Sequence, residues 1–203
     1  MNGSRWRASP RTIARLLCGL WLFGTGEGLV VASELGNSPW TVLSEGVSLN
    51  SALSIGAATI AISGAVLLAW LPLRQRPGLG TVLNAVVIGV AIDATLALVG
   101  DGGPLTTRWA LLLGGIGLVA LGSGFYLGAA LGPGPRDGLM TGLHRVTGTP
   151  VGAARLAVEV TALTSGWLLG GTVGVGTLVF AVMIGPLVGL AVRRMSAVPA
   201  HEL

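Results

Sequence analysis

The chain contains no lysine. Its twelve basic residues are all arginine, it has eight acidic ones, and together these are 10% of 203 residues. Soluble domains average about 25% charged residues. A single cysteine, Cys18, excludes an intrachain disulfide. It lies inside an apolar run, where it reads as a small core residue. The two histidines, His144 and His201, join no cluster with metal-ligand spacing. No stretch matches a phosphate-binding P-loop. No nucleophile has an evident base. These absences argue against an enzyme, a metal or another cofactor, and they mean that ATP-driven transport would need a second chain.

What is present is apolar. Mean hydropathy is +0.80 and 52% of residues are hydrophobic. A soluble fold of this length cannot bury so much apolar surface, whereas a bilayer takes about 20 apolar residues per crossing. The runs are continuous rather than alternating, which excludes a β-barrel. The chain reads as one all-α transmembrane domain over residues 1–203. Residues up to about 31 combine arginines with an apolar run. That run is too long for a secretory signal, so it reads as a first membrane helix.

The chain also repeats. Residues 15–107 shifted by 96 positions fall without a gap on 111–203. Gly36 and Pro39 meet Gly132 and Pro135, Gly56-Ala57-Ala58 meets Gly152-Ala153-Ala154, and Gly80-Thr81 meets Gly176-Thr177. Repeat one covers about 11–100 and repeat two about 107–195. Six spans are expected, near 12–33, 53–72, 79–99, 109–130, 151–170 and 173–192. Each repeat also holds a segment, 36–50 or 132–149, that opens with Gly-x-x-Pro. Proline suits the first helical position because its missing N–H has no partner there. A short helix, re-entrant or interfacial, is predicted in each, with Ser38 or Gly134 as N-cap and Asp137 in a first turn.

Arg5, Arg7, Arg11, Arg15, Arg74, Arg76, Arg136, Arg145, Arg193 and Arg194 all fall on one side of a six-span chain. That side should be the cytoplasm, with both termini in it and the protein in a bacterial plasma membrane. This placement accounts for the basic balance, so nucleic acid is not expected as a partner. Trp40, Trp70, Trp109 and Trp167 lie near the expected boundaries, as an aromatic belt would. Three spans per repeat is an odd number, so the two repeats should be inverted across the bilayer. That plan recurs in secondary transporters, which bind substrate near the midplane between repeats.

Ionisable groups inside spans are candidate sites. Glu159 falls mid-span, with Arg155 one turn before it on the same face. Together they suit a substrate or proton site, or a structural ion pair. Asp93 and Asn84 share the third span and are candidate ligand contacts; Asn84 also suits a bond between helices. Arg136 and Asp137 open the second short helix, where an anion site or ordinary capping would fit. Glu27, between Gly26 and Gly28, is expected to snorkel to the outer surface.

The runs LGNSPWTVL, WLPLRQRPGLGTVLNAVVIGVAID, LGPGPRDGLMTGL and GWLLGGTVGVGTLVFAVMIGPLV resemble the bacterial YczE membrane proteins, relatives of the YitT group. The resemblance spans about Arg15 to Arg194 and implies a multi-pass inner-membrane protein, with no established activity. It makes Asn84, Asp93, Arg136, Asp137 and Glu159 typical polar positions. Thr41, in place of an aspartate, and Glu27, in place of an apolar residue, depart from the pattern. The expected function is a small transporter or exporter working by alternating access on a small molecule or ion. The alternative is a non-transporting regulator or partner subunit, including the substrate-binding component of an energy-coupled transporter. A homodimer or a partner membrane protein would suit so small a bundle.

Overall fold

The computed structural model describes Trp6 and residues 8–100 and 102–195; Arg5, Arg7 and His201 lie outside them. The described residues form eight helices and no strand. These are α1 (Pro10–Ala32), α2 (Pro39–Leu49), α3 (Ile55–Ala69), α4 (Leu79–Val99), α5 (Leu105–Leu127), α6 (Pro135–Thr147), α7 (Val151–Leu168) and α8 (Val175–Met195). The two short helices stand where the Gly-x-x-Pro segments predict them, with Pro39 and Pro135 in their first turns. Local chemistry sets other boundaries. Ser9 accepts the Thr12 N–H at the start of α1, and Ser54 accepts the Ala57 N–H at the start of α3.

Among the described residues, α1, α4, α5 and α8 are long and apolar enough to cross a membrane. The other two expected spans are shorter helices. α3 has 15 residues, about 22 Å at 1.5 Å per residue, against a hydrocarbon core of about 30 Å. α7 has 18 residues and carries Arg155 and Glu159. α8 contains Pro186, which removes one helix hydrogen bond.

α1 and α5, equivalent under the 96-residue shift, form the centre and run antiparallel. A Cβ on Gly19 would stand 2.9 Å from the Gly122 carbonyl oxygen, and one on Gly26 2.6 Å from that of Gly115. Each of these pairs is the other's counterpart under the shift. Only glycine permits backbones to meet this closely. The connections after these helices also exchange contacts. Leu35 O accepts from Gly176 N at 2.7 Å, and Leu131 O accepts from Gly80 N at 2.9 Å. Gly36 and Gly132 have φ of +114° and +116°, which favours glycine at both turns.

The outer helices break this correspondence. In repeat one, α3 packs on α4 through Gly56 and Gly89; a Cβ on Gly89 would lie 2.5 Å from the Gly56 carbonyl oxygen and 2.6 Å from Ile60. The counterparts in repeat two, Gly152 and Gly185, have nothing within 4 Å. α7 packs instead along α2, where a Cβ on Gly46 would meet the Gly166 carbonyl oxygen at 2.6 Å.

Two of the expected belt tryptophans are interior. Trp70 is 2% exposed and donates its indole N–H to Pro135 O at 3.0 Å; Trp40 is 8% exposed. The segment after α3 is tied to α6, where Arg145 donates to Leu73 O at 3.3 Å and to Arg74 O at 3.5 Å. Arg15 bonds Met195 O. Glu34 pairs with Arg108, and Glu45 accepts from Asn37 at 2.8 Å and from the Thr172 N–H at 2.6 Å.

A candidate substrate cavity between the repeats

Separation of α7 from α8 leaves a cavity of about 210 Å³ lined from both repeats. The N-termini of both short helices reach it, bringing Ser38, Pro39 and Trp40 from α2 and its approach, and Gly134, Arg136 and Asp137 from α6 and its approach. The first of these positions follows from chain geometry. After Ala32 the chain turns back so that Ser38 meets Glu27, five residues before the end of α1, and α2 runs outward again. Peptide N–H groups in the first turn of a helix have no intrahelical partner, so both short helices present donors and positive dipole ends here.

Five of the six predicted site residues line this cavity: Glu159, Arg155, Arg136, Asp137 and Asn84. Arg155 Nε donates to Glu159 Oε1 at 3.0 Å, the ion pair their spacing predicts; the side chains are 55% and 32% exposed. Asp137 Oδ2 accepts the Tyr126 hydroxyl at 2.8 Å, and the Tyr126 oxygen accepts the Gly134 N–H at 2.7 Å. Arg136 makes no ion pair among the described residues. Its guanidinium carbon sits 5.8 Å from the centroid of the Phe23 ring and 5.3 Å from that of Trp40, close enough for cation–π attraction.

Asp93 is elsewhere. Its Oδ2 accepts the Ser54 hydroxyl at 2.5 Å and its Oδ1 accepts the Gly56 N–H at 2.8 Å. Both carboxylate oxygens are committed to the first turn of α3, so this residue caps a helix from across an interface and is not among the cavity-lining groups.

Sequence reasoning missed the most enclosed acid. Glu27, expected to snorkel, is 0% exposed. Its Oε2 accepts the Ser38 hydroxyl at 2.8 Å and the Thr41 hydroxyl at 2.7 Å. Its Oε1 is buried without a partner, as is the Trp40 indole N–H. The flanking Gly24, Gly26 and Gly28 explain the burial, because they admit α4 and α5 against α1 on both sides of Glu27. The repeat carries a further signal. Under the shift Glu27 falls on Ser123 and Thr41 on Asp137. Each repeat thus contributes one acid and one hydroxyl at these two positions, in swapped order, and all but Thr41 line the cavity.

A second cavity of about 10 Å³ is lined by Trp40, Ser44, Thr59, Ile62, Ser63, Val66, Pro135 and Arg136. Six of these are counterparts of residues in the first cavity: Thr59 and Ser63 match Arg155 and Glu159, Ser44 matches Met140, Pro135 matches Pro39, and Trp40 and Arg136 match each other. The repeats therefore form two related cavities, one wide and one nearly closed.

Continuous apolar helices crossed by a few buried polar groups define a helical membrane protein. A family model described as "Family of unknown function (DUF6198)" matches residues 10–193, and the chain belongs to that family. It is 34% identical over 170 residues to the uncharacterized membrane protein YczE of Bacillus subtilis, covering 82% of this chain and 79% of that one. An uncharacterized protein of Haemophilus influenzae is 40% identical over 196 residues, covering 97% of this chain and 90% of its own. The uncharacterized protein YyaS of Bacillus subtilis is 29% identical over 173 residues, covering 83% and 86%. No solved structure matches.

Proposed function

We propose that this protein is a secondary transporter in which two inverted repeats alternate access to a central site. The observation that carries this reading is the unequal pair of cavities, about 210 Å³ and about 10 Å³, lined by equivalent residues. Two repeats of one sequence pattern in two conformations are the parts of a two-state machine. If α7 closes on α8 as α3 closes on α4, and α3 opens as α7 has opened, the wide cavity becomes the closed one. The bare Gly152 and Gly185 retain the residues that make that contact in repeat one. In this reading the antiparallel α1 and α5 set the repeats in opposite senses across the bilayer, and α3 and α7 complete six spans. Arginines 15, 74, 145, 193 and 194 mark the cytoplasmic side, so the wide cavity, opening beside Arg155 and Asp137, faces inward. Glu159, Arg155, Arg136, Asp137 and Asn84, with Glu27, form the substrate site. The mechanism uses no catalytic step and no cofactor.

Disulfide trapping tests this directly. In a background lacking Cys18, the pair Ile60→Cys/Gly89→Cys samples the contact already made, and Leu156→Cys/Gly185→Cys samples its counterpart. Oxidation in native membranes should link both pairs, the second more slowly. Complete failure of the second pair while the first links would remove alternating access. A non-transporting subunit would then be the better reading.

A further inference from the structure

We propose that the cavity takes a small zwitterion, an α-amino acid with an apolar side chain; this deepens the transporter reading and rests on it. Arg155 and Glu159 share one contact, Tyr126 occupies one oxygen of Asp137, and Ser38 and Thr41 occupy one oxygen of Glu27. Among the groups left over, which include the second oxygens of Asp137 and Glu159 and the Asn84 amide, three bear most on the ligand. Glu27 Oε1 is an acceptor with no donor, and the Trp40 indole N–H is a donor with no acceptor; these residues are 0% and 8% exposed. The Arg136 guanidinium rests on two aromatic rings and faces no carboxylate within ion-pair distance among the described residues. An unmatched buried polar group costs more than a matched one returns, so the preferred ligand matches the two buried groups, Glu27 Oε1 and the Trp40 indole, together with the half-buried Arg136.

A carboxylate answers the donors, and it would sit at the N-terminus of α6 as well as against Arg136. An ammonium answers Glu27. The two halves of the site are adjacent, because Phe23, one turn before Glu27 on α1, and Trp40, next to Thr41 on α2, are the rings that hold Arg136. An anion alone leaves the Glu27 oxygen unmatched, and a cation alone leaves Arg136 and Trp40 unmatched. The other walls, Ile88, Val119, Phe180 and Ile184, are apolar and suit a hydrocarbon side chain. Ligand pockets commonly measure about 300–1,000 Å³, so a cavity of about 210 Å³ restricts the ligand to a small molecule.

The test uses the full chain in lipid nanodiscs and reads thermal unfolding against added ligand. The probes are the standard free amino acids and the same set as methyl esters and as N-acetyl derivatives. One or more free amino acids with apolar side chains should raise the unfolding temperature, and neither derivative of those should. Glu27→Gln and Arg136→Gln should each weaken the effect at least about tenfold. Equal stabilisation by the ester would make this a cation site, and equal stabilisation by the N-acetyl form an anion site; either overturns the proposal, as does the absence of a shift with every free amino acid. The ligand series needs only the wild-type chain, so it stands if a variant fails to fold. It is also separable from the trapping experiment: an amino acid that binds while α7 never meets α8 would keep the site and remove the transport.

Discussion

Glu27 is held by two hydroxyls, and the single-residue consequences follow from that. Replacing both donors, Ser38→Ala with Thr41→Val, leaves a buried carboxyl group with neither bond. A buried group stripped of its partners costs about 1–3 kcal/mol. The double variant should therefore unfold at lower temperature in detergent, whereas Thr161→Val on the exposed side of α7 should not. The site was only partly legible beforehand. Arg155 and Glu159 declared themselves through their four-residue spacing. Glu27 did not: its flanking glycines let neighbouring helices bury it, but the hydroxyls that hold it lie on a stretch of chain that turns back beside it after α1 ends. No local pattern around Gly26-Glu27-Gly28 encodes that return. Asp93 misled for the same reason, since the N–H and hydroxyl it serves lie 37 and 39 residues away.

Elements make a sharper contrast, because the repeats supply their own control. Gly89 lies against Gly56 and Ile60, whereas Gly185 faces open space. Gly89→Leu should force α3 away from α4 and destabilise the fold by about 1–3 kcal/mol, the usual cost of overpacking. Gly185→Leu should leave stability within about 0.5 kcal/mol, as surface changes do. Under the proposed closure of α7 on α8 it should nevertheless slow linkage of cysteines at Gly152 and Gly189, the counterparts of the Gly56 and Asp93 contact in repeat one. A further difference is the cap on α3. Asp93→Ala should cost about 0.5–2 kcal/mol, typical of a lost helix cap, read as a lower unfolding temperature. Repeat two has Gly189 at that position and so lacks the pin. Helix existence was well forecast, because apolar runs and Gly-x-x-Pro signals are local. The length of α3 was overestimated, since the Ser54 cap and the turns after Ala69 end it inside a longer apolar stretch. The aromatic-belt expectation failed at Trp70 and Trp40 because contacts with α6, non-local in sequence, draw both rings inward.

At the scale of the whole molecule, orientation is the quantity to measure. Ser51 and Thr147 are equivalent under the shift and both exposed. Single cysteines at these positions, in a chain lacking Cys18, should respond oppositely to an impermeant thiol reagent on intact cells, position 51 labelled and position 147 protected. Labelling of both, or of neither, would contradict inverted repeats.

The exchanged contacts carry one more consequence. Each half of the chain offers a carbonyl that the other half's glycine N–H needs, Leu35 to Gly176 and Leu131 to Gly80. Each also offers half of the antiparallel α1–α5 seam. Recognition between the halves is thus written into both surfaces and owes little to the peptide that joins α4 to α5. A gene severed within residues 100–104, with the two fragments produced together, should yield polypeptides that find one another in the membrane and purify as a pair.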